Sequence, residues 1–222
     1  MLRRAWTLAI LLAACSDATG QSGSGSGRPT GPDTLPFAWP PKVGEAYPDL
    51  ELVDQTGQLT KLSAFRGRIV LVEPIGMNCT GCIAYVGGHT HGPFEGHHPQ
   101  KGLASLHEYA KTYGKFDLDD PRVVHVHLLL YSLRMDAPTP DDGKRWAAHF
   151  QRDRAKDQVV LVGDARFIGP ASHGMIPGIH LLDEAGVLRG DSSGHQPTEN
   201  MYTALLPRAG ELVAKLPMPG TK

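Results

Sequence analysis

A continuous apolar run at residues 69–72 restricts the possible folds more than any other feature of the chain. Such a run is typical of a strand that is buried on both faces, and these strands lie inside parallel sheets covered by helices. The run leads into Cys79-Thr80-Gly81-Cys82. The sequence therefore places two cysteines at the carboxyl end of a strand and the start of a helix, the usual position of a site in an open α/β sheet.

The segments around this strand alternate between strand and helix patterns. Residues 50–53 and 59–62 flank a turn and predict a hairpin. Further strands are predicted at residues 123–131, 159–162, 179–182 and 187–188, and helices at residues 79–86, 103–113, 142–154 and 198–216. This order predicts an α/β fold with a central mixed sheet, helices on both faces and an N-terminal hairpin extension.

The N-terminus is typical of an export signal. Arg3 and Arg4 precede a short apolar stretch at residues 5–14, so residues 1–14 are predicted to be a signal peptide. The stretch ends in Ala-Ala-Cys15 and resembles the lipobox of bacterial lipoproteins, in which the cysteine is diacylated. An ordinary secretory signal, with no special role for Cys15, is the alternative.

Composition divides the rest of the chain into a tether and one domain, and it argues against nucleic acid as a partner. Residues 15–41 are rich in Gly, Ser and Pro and predict a flexible tether, which leaves residues 42–222 as one domain. A formal net charge of −1 gives no reason to expect nucleic acid as a partner. We expect a lipoprotein, periplasmic or otherwise extracytoplasmic, that contacts the membrane through its lipid anchor.

The chain has three cysteines, and lipidation of Cys15 would leave the pair Cys79 and Cys82. Two cysteines this close cannot crosslink distant segments, so redox chemistry or metal binding explains them better than a structural framework. A helix N-terminus favours a thiolate, which predicts Cys79 as the attacking thiolate and Cys82 as the resolving thiol. A structural zinc site would need two further ligands, and the chain has no second Cys-X-X-Cys.

The chain around the pair resembles the thioredoxin-like redoxins of the TlpA type, within the redoxin superfamily. The resemblance covers residues 43–215 and depends on residues 43–50, 62–72 and 174–179. It implies a thioredoxin-like fold and a cis proline at Pro177 whose backbone orients the incoming substrate. Two departures are Asn78, where the family usually has Trp, and Pro74, which is expected to interrupt the segment between strand and motif.

Glu73 lies six residues before Cys79, where thioredoxins carry a buried acid behind the second cysteine. A buried carboxyl there would exchange a proton with Cys82, whereas a solvated Glu73 would be idle. A peroxidase of the peroxiredoxin type is disfavoured, because no hydroxyl residue matches that family's spacing between Pro74 and Cys79.

Histidines provide an alternative function. Four of them lie in a Gly- and Pro-rich insertion at residues 87–99, which is predicted to be a solvated loop rather than a metal site. The chain also resembles the Sco-type copper chaperones, and in that alternative Cys79, Cys82 and His173 bind copper. Cysteine spacing argues against it, because three residues separate the two Sco cysteines, whereas two residues separate Cys79 and Cys82. His125 and His127 alternate with apolar residues on a predicted strand and are expected to be structural.

The sequence thus predicts a thiol-disulfide oxidoreductase, with Cys79, Cys82, Pro177 and Glu73 at its site. Its partners would be the thiols or disulfides of exported proteins and a second redox protein. The predicted reaction requires no dissociable cofactor.

Overall fold

The structure, a computed structural model, describes residues 35–220. The predicted signal peptide, the predicted lipidation site Cys15 and the tether up to residue 34 lie outside the described residues. No described helix is long and apolar enough to cross a membrane.

Seven strands form one mixed sheet in the order β2-β1-β5-β4-β3-β6-β7. The strands are β1 (Glu51–Asp54), β2 (Leu59–Lys61), β3 (Ile69–Gly76), β4 (Val123–Tyr131), β5 (Gln158–Val162), β6 (His180–Leu182) and β7 (Leu188–Asp191). β3, β4 and β5 are parallel, whereas β1, β2, β6 and β7 join by antiparallel pairs. The predicted α/β architecture and its N-terminal hairpin are confirmed.

Strand β3 is longer than its apolar run, and all eight of its residues are buried. The prediction that Pro74 interrupts this segment was wrong, since Pro74 lies within the strand opposite Leu128. The reason is the length of the neighbouring ladder: β6 pairs only with residues 70–72 of β3. Beyond Val72 the strand has one neighbour in the sheet, β4, and a missing backbone N–H is tolerated at such a position.

The helices are α1 (Thr80–Tyr85), α2 (Gly88–His91), α3 (Leu106–Tyr109), α4 (Pro140–His149), α5 (Pro170–Gly174) and α6 (Leu206–Lys215). Shorter turns are the 3-10 segments Leu62–Phe65, Arg154–Lys156 and Ala165–Phe167 and the π-helical segments Ala110–Gly114 and Met201–Leu205.

The starts of α3 and α4 differ from the prediction because of capping. Ser105 accepts a hydrogen bond from the backbone of Glu108, so α3 begins three residues later than expected. Thr139 and Asp142 form a capping box with Pro140 in the first turn, so α4 begins two residues earlier than predicted.

The end of the predicted tether packs against the domain. Trp39 donates a hydrogen bond from Nε1 to Oγ of Ser172 at 2.8 Å, and its ring centroid lies 5.2 Å from that of Phe167. Leu35 and Phe37 also contact the hydrophobic core. The packed chain therefore begins by residue 35, earlier than the predicted boundary at residue 42.

Candidate active site

Helix α1 begins at the cysteine pair. Cys79 has extended backbone angles and is the N-cap residue, and its Sγ accepts a hydrogen bond from the backbone N–H of Cys82 at 3.3 Å. A sulfur atom thus occupies the position where a capping oxygen usually lies. The structure holds both cysteines as free thiols, Cys79 half-buried and Cys82 buried.

The two thiols have opposite electrostatic environments. A hydrogen bond from the Cys82 side chain, helped by the backbone N–H groups of Cys82 and Gly81, lowers the pKa of Cys79 to about 7. Burial raises the pKa of Cys82 well above that of an ordinary thiol, and neighbouring Cys79 and Glu73 raise it further. Cys79 is therefore the thiolate at neutral pH, and Cys82 stays protonated.

Pro177 lies against the cysteine turn. A Cβ atom added to Gly81 would come within 3.0 Å of Cγ of Pro177 and 3.4 Å of Oε1 of Gln100. The peptide bond between Ile176 and Pro177 is cis, as the family resemblance implied. The structure thus brings Pro177 and the cysteine pair together across nearly one hundred residues of sequence.

Glu73 is fully buried, so the alternative of a solvated carboxyl was wrong. It lies in β3, between the apolar run and the cysteines. Burial raises its pKa well above the ordinary carboxyl value, Arg152 opposes that effect, and the charge of Cys79 adds to it. A carboxyl with a raised pKa exchanges protons with a thiol more readily than an ordinary one.

His125 and His127 belong to the surroundings of Glu73, which sequence reasoning missed. Nε2 of His125 lies 3.2 Å from Oε2 of Glu73, and Nε2 of His127 lies 3.7 Å from the same oxygen. The expectation of satisfied structural side chains holds for His125 but was wrong for His127, whose Nε2 has no hydrogen-bond partner among the described residues. The signal was present in the sequence: two polar residues alternate on a buried strand that could pair with the strand of Glu73.

The residues of the copper alternative do not form a preformed cluster. Within residues 35–220, two groups of side chains lie close enough together to hold a metal ion, Glu73 with His125 and His127, and His107 with Asp117 and Asp119. Neither group contains a cysteine or His173. His173 is exposed on α5, with its ring 6.0 Å from that of Tyr131.

The His-rich insertion, residues 87–99, is more closely packed than a solvated loop. Phe94 is buried, with its ring 4.9 Å from that of Trp146 and 5.8 Å from that of Phe150. His89 and His98 are exposed. After the insertion, the backbone N–H of Gln100 donates to the carbonyl of Thr80 at 2.9 Å, so the chain returns to the cysteine motif.

Comparison with solved structures supports the fold. The chain is similar to a proposed electron transfer protein from Aquifex aeolicus VF5, with TM-score 0.51 and 15% identity over 78% of this chain and 98% of that one. It is also similar to a proposed protein disulfide isomerase from Bacteroides thetaiotaomicron, with TM-score 0.50 and 13% identity over 79% and 92%. A third similar structure is an uncharacterized conserved protein from Geobacillus kaustophilus, with TM-score 0.50 and 11% identity over 82% of this chain and 87% of that one.

These likenesses confirm the thioredoxin-like fold, and at such identities they bear on the fold alone. No protein-family profile matches the chain. No curated protein sequence matches it significantly.

Proposed function

We propose that the protein is a thiol-disulfide oxidoreductase that acts on exported proteins, with Cys79 as the nucleophile and Cys82 as the resolving thiol. The observation that carries the proposal is the contrast between the two sulfur atoms. Cys79 is accessible and has a pKa of about 7, whereas Cys82 is buried beside it and remains a thiol. This division of roles is what an exchange reaction through a mixed disulfide requires.

The reaction transfers two electrons. The Cys79 thiolate attacks a substrate disulfide, a Cys79–substrate disulfide forms, and one substrate sulfur leaves as a thiolate. Cys82 then loses its proton and attacks Sγ of Cys79, which releases the second substrate thiolate. The protein is left with a Cys79–Cys82 disulfide, the substrate is reduced, and an external dithiol restores the starting state. The reverse sequence oxidises a substrate.

Glu73 and Pro177 are proposed to assist the two steps. The ionised form of Glu73 takes the proton of Cys82 during resolution and returns it when Cys82 is the leaving group. Pro177 lies against the turn that carries both cysteines, and its backbone is proposed to orient the substrate chain beside Cys79.

The proposed location follows from the N-terminal sequence. Signal peptide cleavage before Cys15 and acylation of that residue would anchor the protein outside the cytoplasm, within reach of exported proteins. The redox partner is proposed to be a second extracytoplasmic dithiol protein.

Trapping of a mixed disulfide tests the mechanism. With a model protein disulfide as substrate, Cys82→Ser should accumulate a covalent complex through Cys79, whereas Cys79→Ser should form none and lose turnover. Full activity of the Cys79 variant would refute the proposal.

A reduction potential from thiol-buffer titration, with and without copper, separates the proposal from the copper alternative. A two-electron transition that copper does not change supports the oxidoreductase. Tight binding of one copper ion without disulfide exchange would instead favour binding by Cys79, Cys82 and His173.

A further inference from the structure

Glu73, His125 and His127 form one buried group on a single face of the sheet. Glu73 in β3 pairs with His127 in β4, and Leu71 pairs with His125, so all these side chains point to the same side. Both imidazoles direct Nε2 at the same carboxyl oxygen, Oε2 of Glu73. The other oxygen, Oε1, has no hydrogen-bond partner in the described part of the chain.

The tautomer of His127 is determined by Trp146. Nε1 of the indole, a group that can only donate, lies 3.1 Å from Nδ1 of His127. Nδ1 must therefore be an unprotonated acceptor. A neutral imidazole then carries its hydrogen on Nε2, the atom that faces Glu73.

The tautomer of His125 is determined in the same way by Arg152. A guanidinium can only donate, and Nη2 of Arg152 lies 2.5 Å from Nδ1 of His125. The hydrogen of the neutral ring is again on Nε2, which donates to Oε2 of Glu73 at 3.2 Å. Burial and Arg152 lower the pKa of both histidines, which keeps the two rings neutral.

We propose that His125 and His127 are positioning residues for Glu73. The Nε2–H of His125 donates to Oε2, and the Nε2–H of His127 faces the same oxygen at 3.7 Å, beyond hydrogen-bond distance, so that Oε1 exchanges the proton with Cys82. This inference rests on the proposed thiol-disulfide exchange. The proton leaves Sγ of Cys82 for Oε1 during resolution and returns to the sulfur in the reverse step. Trp146 and Arg152 act through the two histidines, because their hydrogen bonds to Nδ1 fix which nitrogen of each ring carries the hydrogen.

The hydrogen bond from His125 and the N–H dipole of His127 set how readily Glu73 ionises. Hydrogen bonds to a carboxylate stabilise its charged form, so they oppose the effect of burial. The other groups that act on the charge of Glu73 are Arg152, which favours ionisation, and Cys79, which disfavours it. Cys82 and Tyr85 also interact with this charge. Without these two N–H groups, Glu73 would remain protonated over a wider pH range and accept the proton of Cys82 less often.

A metal ion is a poorer explanation of the same group. A ring nitrogen that carries a hydrogen has no lone pair to offer a metal. In both histidines Nε2 carries the hydrogen. Histidines that bind metals through Nε2 donate from Nδ1, whereas here Nδ1 accepts in both residues. The nearby guanidinium of Arg152 would also repel a cation.

Nitrogen NMR on the unmodified, reduced protein tests the tautomers directly. The ¹⁵N shifts of His125 and His127 are expected to show the Nε2–H form between pH 6 and 9, with no change on addition of zinc. An Nδ1–H form, a charged ring, or a shift at one equivalent of zinc would overturn the proposal. This measurement requires no variant and no activity.

Variants of His127 test the consequence for Glu73. His127→Leu removes the N–H group that faces Oε2 from 3.7 Å and is expected to lower the acid dissociation constant of Glu73 about threefold, read by ¹³C NMR of the labelled carboxyl. His127→Gln keeps an N–H donor and should restore most of the loss. His180→Leu is the matched control, because His180 is equally buried but pairs with Val72, on the opposite face of β3. Equal titration of Glu73 in all four proteins would overturn the proposal.

The experiments distinguish failure of the oxidoreductase proposal from failure of the positioning role. If the native protein exchanges no disulfides but the titration of Glu73 responds to His127→Leu, the positioning role stands and the oxidoreductase proposal falls. If the native protein exchanges disulfides and the pH profile of resolution is the same in His127→Leu, the positioning role falls alone.

Discussion

Cys79 is expected to be the only thiol of the pair that reacts quickly at neutral pH. Its pKa of about 7 means that the reactive thiolate fraction rises with pH through that value, and the first cause is the hydrogen bond from Cys82. Alkylation by iodoacetamide, followed by mass spectrometry, should show a midpoint near pH 7 in the reduced protein.

The variant Cys82→Ala removes that donor and should move the alkylation midpoint of Cys79 upward. In Cys79→Ala, the remaining Cys82 should react little at pH 7, because burial keeps it protonated. A midpoint that Cys82→Ala leaves unchanged would mean that the backbone N–H groups alone stabilise the thiolate.

Replacement of Glu73 by glutamine should slow the resolving step selectively. General acid–base assistance contributes about 10²–10⁴-fold in rate, so we expect a loss of about a hundredfold. Because burial raises the pKa of Glu73, resolution in the native protein should accelerate as pH rises and Glu73 ionises. The glutamine variant should lose this dependence. Acid quenching and mass spectrometry measure the lifetime of the mixed disulfide, and equal lifetimes in both proteins would contradict a role for Glu73.

Among the described glycines, Gly210 in α6 is the one whose added Cβ atom would come nearest to another backbone atom. A Cβ atom on Gly210 would lie 1.9 Å from the carbonyl oxygen of Gly114, in the π-helical segment that follows α3. Gly210→Ala should therefore lower the free energy of unfolding by about 1–3 kcal/mol, the usual cost of overpacking. Urea denaturation of the reduced protein measures this loss.

The control for that prediction is Gly174→Ala. Gly174 lies in α5, and a Cβ atom there would meet nothing within 4 Å. Alanine at such a helical position should be neutral or stabilise by up to about 1 kcal/mol. Equal effects of the two substitutions would show that helix propensity, rather than the contact with Gly114, decides the outcome.

Local patterns predicted most of the elements, and interactions between elements explain the misses. Residues 123–131 were predicted as a strand with the bounds that β4 has, because all of its residues except two histidines are apolar or aromatic. Pro74 was misjudged because the length of the β6 ladder is not visible in the sequence around it. The start of α3 was predicted too early, because the apolar residues before Ser105 fit the helical pattern, whereas Ser105 caps the helix and starts it at Leu106.

At the scale of the whole molecule, the candidate site divides into a part that local sequence reveals and a part that it does not. The cysteine pair could be predicted because one short motif holds it. Arg152 and Trp146 could not, since they reach the histidines beside Glu73 from α4 and the segment after it. A carboxyl and two histidines on neighbouring strands were the available clue, but their register became apparent only once β3 and β4 were paired.

The proposed membrane anchor would decide which proteins the cysteines can reach. If the Gly- and Ser-rich residues before residue 35 form the predicted flexible tether, about 20 residues of such a chain would span roughly 25 Å on average, and the domain would work close to the membrane surface. When the full chain is expressed in a bacterium fed labelled palmitate, we expect the native protein to take up the label and Cys15→Ser to take up none. The double variant Cys79→Ser/Cys82→Ser should still be labelled, which separates lipidation from modification of the redox pair. Label on Cys15→Ser, or none on the native chain, would contradict the lipoprotein proposal and leave an ordinary secretory signal as the explanation of residues 1–14.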